Sequence, residues 1–590
     1  MAVTKLPIFT SFDRQRFTQY GSSDLANFYA ISVESGKDKQ ALYPCMGRRK
    51  VSFLGSNRLV YDQEPREIFR SIDYIYVVVG TRITQYDKFY TPKLLPLDVQ
   101  STGDIWFAYL PVGTKVYCML TDGVNVFVIT EDGGAVTMEV ATGVGVPTSP
   151  TYVAAFGNRF VVSVNNTPDM HLSQINMGGV AGTPSTWFEI PDGSGGGFPL
   201  FFRASGLVRQ LAVLHNTLYI FTDFSCDIWS NIQTKIDVAG VIREFPWKLN
   251  SSYNWDYGMQ DPHSLDVDFG MMVWLGQNRN GLVNFMMSNG QQPQQISTQA
   301  INVLLERQSD IDQVSPFIEL TTEGFLYQWE NTIFYRASAG DEVTIGPLTD
   351  EVDAHCLEYN FATQTWGRAI ELDGTRNLIK RHAFYNNVHL VTVRGQPAIY
   401  DMAGDLYYNE LRNTTQTNPQ AADAFLKYPM RYELTTKQIF QEDYSEFLTD
   451  YVEIDFVFGD KTFYKSNAPF ENTVYLVDEA STPENPIYLV TEDDEFIIAE
   501  GTNTPTFNDN HYNALFKPHI ELFYSDDGGV TFTTADLREF SPLGQYRWRM
   551  RWYELGCSRN RCYKLVCVSS APIVILGAVQ NTRRVSGGAN

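Results

Sequence analysis

Between residues 70 and 400 one local pattern returns seven times: an apolar run in alternation, a short turn rich in Gly, Asn and Asp, then a second alternating run. The copies are "YIYVVVGTRITQY" (74–86), "VFVITEDGGAVTMEV" (126–140), "VAAFGNRFVVSV" (153–164), "AVLHNTLYIFT" (212–222), "MMVWLGQNRNGLVNFMM" (271–287), "FLYQWENTIFYRA" (325–337) and "AFYNNVHLVTV" (383–393). Alternation puts every second side chain on one face of a strand, and the turn residues tolerate the backbone angles a tight reversal needs. Each copy therefore predicts a β-hairpin. Most are spaced by fifty-odd residues, close to the ~40–50 of a four-stranded propeller blade. The expected fold class is all-β: an irregular β-propeller of six or seven blades. Because the spacing is uneven, a pair of β-sandwiches also fits. "HCLEYNFATQTWGRA" (355–369) reads as the end of a blade, with Trp366 on the strand after its turn. One short helix interrupts the pattern at "STQAINVLLERQ" (297–308), where Ser297 and Thr298 can cap and Ile301, Leu304 and Leu305 share a face.

A chain of 590 residues exceeds the roughly 250–300 that one core serves, which predicts two to four domains. The remainder of the sequence divides accordingly. Residues 1–60 form an N-terminal segment and 61–408 the propeller. After a polar stretch, "NELRNTTQTNPQAADAF" (409–425), a second, β-sandwich-like domain takes 409–459 and resumes at 517–585. The interruption, 460–516, carries a small repeat, "VYLVDEAST" (474–482) and "IYLVTEDDE" (487–495), and reads as an inserted β-hairpin module. Residues 586–590 are left as a flexible tail.

The formal net charge is -23. Such an excess of carboxylates repels phosphates, which excludes broad binding to nucleic acid or anionic membrane and leaves only local contacts. No uncharged apolar run approaches the roughly 18 residues needed to cross a bilayer, and "MAVTKLPIFTSFDRQRF" lacks the apolar stretch of a signal peptide. The seven cysteines include no CxxC pair. Cys557, Cys562 and Cys567 are evenly spaced but have no histidine nearby to complete a metal site, so reduced core thiols are expected and no cofactor or metal is assigned.

Catalytic spacings are missing as well: the sequence has no GxSxG, HExxH, P-loop or dinucleotide fingerprint. "PDGSGGGFP" (191–199) lacks the lysine and following helix of a phosphate cradle and reads as a loop. His215 and His389 stand beside strands, where a lone imidazole is normally a satisfied structural residue. The expectation is a protein that is not an enzyme.

One stretch stands out against the acidic whole. "QYRWRMRWYELGCSRNRC" (545–562) gathers five arginines and two tryptophans. On a strand, Arg547, Arg549 and Arg551 project to one side and Tyr546, Trp548, Met550 and Trp552 to the other. The apolar face can be buried, each large side chain contributing about 1.5–3 kcal/mol, while the other presents guanidinium groups about 7 Å apart. Arg559 and Arg561 follow in the next turn and are expected near that row. Three readings fit: ion pairs with carboxylates on a neighbouring strand, a subunit or adaptor interface, or a local contact with DNA.

The closing residues carry a resemblance. "LFYSDDGGVTFTTADLREFSPLGQYRWRMRWYELGCSRNRCYKLVCVSSAPIVILGA" resembles the C-terminal signature of tail hub, or tail nozzle, proteins of short-tailed bacteriophages, the packaged DNA stabilization family. "ANFYAISVESGKDKQALYPCMGRRKV" (26–51) is similar to their N-terminal segment, with "CMG" where Pro-Gly is usual. "AVLHNTLYIFTDFSCDIWSN" and "YGMQDPHSLDVDFGMMVWLGQNRNGLVNFMMSNGQQPQQISTQAINVLLER" are similar to their central blades. The insert at about 460–516 departs from the pattern.

The resemblance implies a structural virion protein located in the phage tail and made in the bacterial host cytoplasm. Its copies would form a homo-oligomeric ring, expected to be a hexamer, below portal and adaptor. The ring would extend the DNA channel, help retain the packaged genome, conduct it during ejection and anchor fibres or spikes. It further implies that residues 1–60 pack on the ring or platform, that the second domain forms a platform or channel lining, and that the insert is distal. Double-stranded DNA would pass without sequence-specific binding, since a carboxylate-lined bore repels phosphates. The alternative of another class is a carbohydrate-binding or glycan-hydrolysing propeller that serves in adsorption.

Overall fold

The computed structural model describes residues 2–14, 22–32, 40–51, 61–173 (apart from 62, 143–144, 166 and 168), 197–199, 207–305 (apart from 233, 239–240, 246 and 251–253), 322–339, 355–412, 425–458 (apart from 442), 519–539 and 547–584. Within them the chain is almost wholly β. Seven four-strand antiparallel units follow one another as blades. Their first strands are Pro65–Arg70, Trp106–Val112, Pro150–Phe156, Val208–Leu214, Asp266–Asp268, Thr322–Trp329 and Ile379–Tyr385, opening blades 1 to 7. First strands of successive blades from 2 to 7 pack against each other, Ile379–Tyr385 of blade 7 packs on Pro65–Arg70 of blade 1, and Phe69 of blade 1 stacks on Phe107 of blade 2. Blades 1 and 2 share a core that includes Tyr76, Val78, Cys118 and Phe127. The ring is closed, and the fold is a seven-bladed β-propeller.

Each of the seven hairpins read from the sequence lies in a different blade. They do not sit at equivalent places, which explains the uneven spacing: strands two and three in blades 1 and 5, three and four in blade 2, one and two in the rest. Five of the turns are two residues long with both residues at positive φ, namely Gly133–Gly134, Gly157–Asn158, His215–Asn216, Glu330–Asn331 and Asn386–Asn387. This geometry matches the twist of a hairpin. Trp366 is fully buried on the last strand of blade 6. The expected helix forms at 299–305 and buries Ile301, Leu304 and Leu305 in the same core as Trp366.

Blade 7 is completed from the other end of the chain. Its outer strand is Gly47–Lys50, antiparallel to Ile399–Ala403 with Arg48 opposite Met402. These residues fall in the N-terminal segment 1–60, outside the bounds 61–408 expected for the propeller, yet they supply one of its strands. A Cβ at position 47 would lie 2.4 Å from the Tyr408 carbonyl oxygen, so only glycine lets the strand pass. Arg48 is buried and donates to the Glu371 carboxylate at 2.8 Å. The second oxygen of Glu371 accepts from the Asn409 amide at 3.0 Å.

Apart from a separate two-stranded hairpin, Thr234–Val238 with Val241–Phe245, most of the remaining strands build a β-sandwich from the two ends of the chain. One sheet runs Phe28–Ser32, Gln40–Pro44, Ile573–Arg584, Phe447–Phe458 and Arg547–Tyr553, with Ala2–Lys5 also paired to Ile573–Arg584. The facing sheet runs Ser22–Ala26, Phe425–Thr435, Asn560–Ser569, His519–Ser525 and Thr533–Glu539. Leu25, Phe28, Leu42, Tyr432, Phe456, Leu522, Trp552, Leu565 and Ile575 fill the space between them. The facing sheet continues into the propeller on two sides. Ala26 pairs with Arg368 of blade 6, and Tyr408–Arg412 bridges Phe425–Thr435 to the closing strand Gly47–Lys50. At the junction Asn27 holds positive φ, and its buried side chain donates to the carbonyls of Ile370 and Arg431 and accepts from the Ile370 amide. The insert expected at 460–516 and the tail at 586–590 lie outside the described residues.

Replacing Arg48 with Met removes the cation that bonds the buried Glu371 carboxylate. The expected loss is about 3–5 kcal/mol, because Glu371 is left charged in the interior. Arg49, half-exposed and paired with Asp401, should cost no more than about 1 kcal/mol when replaced likewise. Equilibrium denaturation of the two variants in guanidinium chloride measures the difference.

Candidate assembly interface

The arginine-rich stretch forms the strand Arg547–Tyr553 at one edge of the first sandwich sheet, and Phe447–Phe458 is its sheet neighbour among the described residues. Its two faces divide as alternation requires. Met550 and Trp552 are buried in the sandwich core and Trp548 packs against it. Arg547, Arg549 and Arg551 have side chains 57%, 53% and 47% exposed. The inward indole and thioether fix the strand's rotation, so the guanidinium row can only face outward.

Opposite the row stand Glu453 and Asp455, in register with Arg551 and Arg549. Arg547 grips Asp455 through Nε at 3.1 Å and a second nitrogen, and Arg551 bonds Glu453. Arg549 sits between them at 3.7 Å from each carboxylate. Three cations thus share two anions, and Arg549 is the least engaged. The carboxylate bonds raise the pKa of both Arg547 and Arg551.

Further residues on this sheet extend the surface. Arg551 lies over the Tyr451 ring at 5.2 Å, Tyr451 packs on the exposed Tyr553, Arg583 pairs with Asp450, and Arg584 pairs with Asp443. Beside Asp443, the exposed rings of Phe440 and Tyr444 stack. None of these was singled out from sequence. A signal existed in "YVEIDFVFG" (451–459), whose two carboxylates alternate in step with the arginines. Nothing in the sequence told that the two segments are neighbours.

Arg559 and Arg561 separate. Arg559 is exposed. Arg561 does not join the row: its side chain has no exposure and forms a bidentate pair with Asp526 at 2.7 and 3.0 Å while lying over the Tyr524 ring. Burial is the largest single influence and works against its charge, but Asp526 and Tyr563 together outweigh it and raise the pKa. The reason is register. Arg561 begins a strand of the opposite sheet, Asn560–Ser569, and points into the turn after Ser525. That turn joins His519–Ser525 to Thr533–Glu539 and is held by Asp527, which accepts from the amides of Val530 and Thr531.

Residues weighed for chemistry are placed as follows. His389 Nδ1 lies 3.0 Å from His382 Nε2, the two rings stack, and burial lowers the pKa of both. His215 occupies a hairpin turn at φ 49. Cys557 is exposed, whereas Cys562 and Cys567 are buried, and none of the three is in a disulfide. Among the described residues no group of three or more His, Cys, Asp and Glu is placed to hold a metal ion, and no helix is long and apolar enough to cross a membrane. Most of "PDGSGGGFP" falls outside the described residues.

No known protein family's sequence profile matches the chain, and no curated protein does. Solved structures that resemble it include the Pan2 WD40 domain of Neurospora crassa, 8% identical over 63% of this chain and 97% of that one, with a TM-score of 0.34. Apo AztD from Citrobacter koseri is 12% identical over 65% and 97%, with a TM-score of 0.31. Kluyveromyces lactis Hsv2 is 12% identical over 59% and 97%, with a TM-score of 0.25. At such scores the likeness carries no argument, and the blade count rests on the strand pairing itself.

The division of the arginines is testable by stability. Arg561→Met should lose about 1.5–3 kcal/mol, the worth of charge-assisted hydrogen bonds at a shielded site. Arg549→Met should leave the denaturation midpoint unchanged. Chemical unfolding of the two single variants reads both.

Proposed function

We propose that the chain is a structural, ring-forming protein of a short-tailed phage tail, and that the strand Arg547–Tyr553 contributes to the joint with a neighbouring subunit or adaptor. The observation that carries this reading is the outward guanidinium row on an edge strand of an otherwise acidic chain, with Arg549 in surplus over its carboxylates. Arginine and tyrosine are the residues that concentrate binding energy at protein interfaces, because they combine large contact area with directed hydrogen bonds. Here Tyr451 and Tyr553 flank the row.

The sequence resemblance supplies the rest of the proposal: a ring of six copies under portal and adaptor, a channel for double-stranded DNA, and outer surfaces for fibres or spikes. The charge of -23 supports the conduit role, since a wall of carboxylates repels phosphates and lets a polyanion slide. DNA contact by the arginine row is disfavoured by the same field. Two of its three guanidiniums are moreover closely bonded to carboxylates within the subunit.

Arg549→Glu should weaken self-assembly, or assembly onto an adaptor ring, more than it changes affinity for DNA. Placing Glu at all of 547, 549 and 551 should deepen the assembly defect. Sedimentation velocity together with a filter-binding titration decides it. Intact assembly with abolished DNA binding would refute the proposal.

A further inference from the structure

A strand-turn-strand ring places the turns between strands one and two, and between three and four, on the same end of every blade. On that end, blades 7, 1 and 2 enclose a cleft of about 660 Å³, within the roughly 300–1,000 Å³ usual for small-ligand sites. Three large apolar side chains that the fold leaves in water converge there: Ile72, Phe89 and Phe384, exposed by 53%, 59% and 37%. Isolated exposed hydrophobics need no explanation, but three around one cavity do. They come from two blades that follow the whole ring apart in sequence, so no local feature of the chain puts them together.

The cleft is preformed. Arg70 donates to the Phe384 carbonyl at 3.0 Å, the Tyr385 hydroxyl to the Asp73 carbonyl at 2.6 Å, and the Asn386 amide to the Lys88 carbonyl at 3.2 Å. These bonds tie blade 7 to blade 1 across the cavity floor. Its charged lining balances, with Arg70 and Lys88 against Asp73 and Asp87, so neither a polyanion nor a polycation is favoured. Asn386 and Asn387 add amides, which both donate and accept. The walls are turns and offer no open strand edge, which removes the backbone ladder an extended peptide would use.

We infer that this cleft binds a short neutral oligosaccharide. A sugar ring has apolar C–H faces that pack on aromatic side chains and a rim of uncharged hydroxyls that need both donors and acceptors. Phe89 and Phe384 supply the first, and the asparagines with the two aspartates supply the second. Lys88 lies over the Phe89 ring at 5.1 Å, which leaves the opposite ring face to a ligand. The inference stands apart from the arginine strand, which belongs to the sandwich, and a chain that failed to assemble could still bind.

The test uses the full chain on an array of neutral hexose and N-acetylhexosamine oligosaccharides, followed by calorimetric titration with the strongest binder. Phe89→Ala with Phe384→Ala should weaken that affinity by about tenfold or more, as for loss of an aromatic anchor. Both side chains are exposed, so folding should survive, which circular dichroism verifies. Asn387→Asp, which removes a donor but tolerates positive φ, should weaken it as well. Val530→Ala, exposed on the sandwich, should leave it unchanged. Absence of any sugar binding at millimolar concentration, affinity untouched by the phenylalanine changes, or a peptide array captured through the same phenylalanines would each overturn the assignment.

Discussion

Closure of the seventh blade is the constraint on which the rest of the structure depends. The strand Gly47–Lys50 meets a partner whose residues lie 352 positions later, as Arg49 and Asp401 do. Six blades can pair their own strands locally, but the last must wait for the N-terminus. The cost of closing so long a loop grows only with the logarithm of its length, so stability is little affected, whereas folding is slowed by the large sequence separation. Arg48 and Glu371 reinforce the joint from inside, where a mismatch would strand a charge.

The closing strand also explains why propeller and sandwich are one unit. The chain leaves the sandwich at Pro44, enters blade 7 three residues later, circles the ring, and returns through Tyr408–Arg412 into the sandwich strand Phe425–Thr435. The propeller is thus an insertion in a sandwich, and backbone hydrogen bonds cross the boundary at both sides. Asn27 holds the crossing with one side chain and three bonds. A flexible linker would need none of this.

What was legible in the sequence followed from short-range periodicity. Alternation and turn chemistry gave one hairpin in every blade, the helix carrying Ile301 and Leu304, and the two-faced strand at 547–553, because each depends on residues within about a dozen positions. Partners distant in sequence were not legible. The role of Gly47–Lys50 as a blade strand, the pairing of Glu453 and Asp455 with the arginines, and the burial of Arg561 against Asp526 are all set by register between remote strands. No local pattern encodes that. The same limit applies to the cleft of Phe89 and Phe384, which exists only once blade 7 meets blade 1.

The electrostatic picture joins these levels. Inside the subunit, arginines are matched to carboxylates at domain joints, and at the sandwich edge the matching is incomplete by one charge, at Arg549. In the proposed assembly, that surplus against an acidic whole would steer a specific neighbour to this edge while the remaining surface repels DNA. Cryo-electron microscopy of particles carrying the protein tests this most directly. The predicted result is a sixfold collar around an axial channel with an acidic lining and the strand Arg547–Tyr553 at a joint. Density away from the axis, or a channel lined mainly by cations, would contradict it.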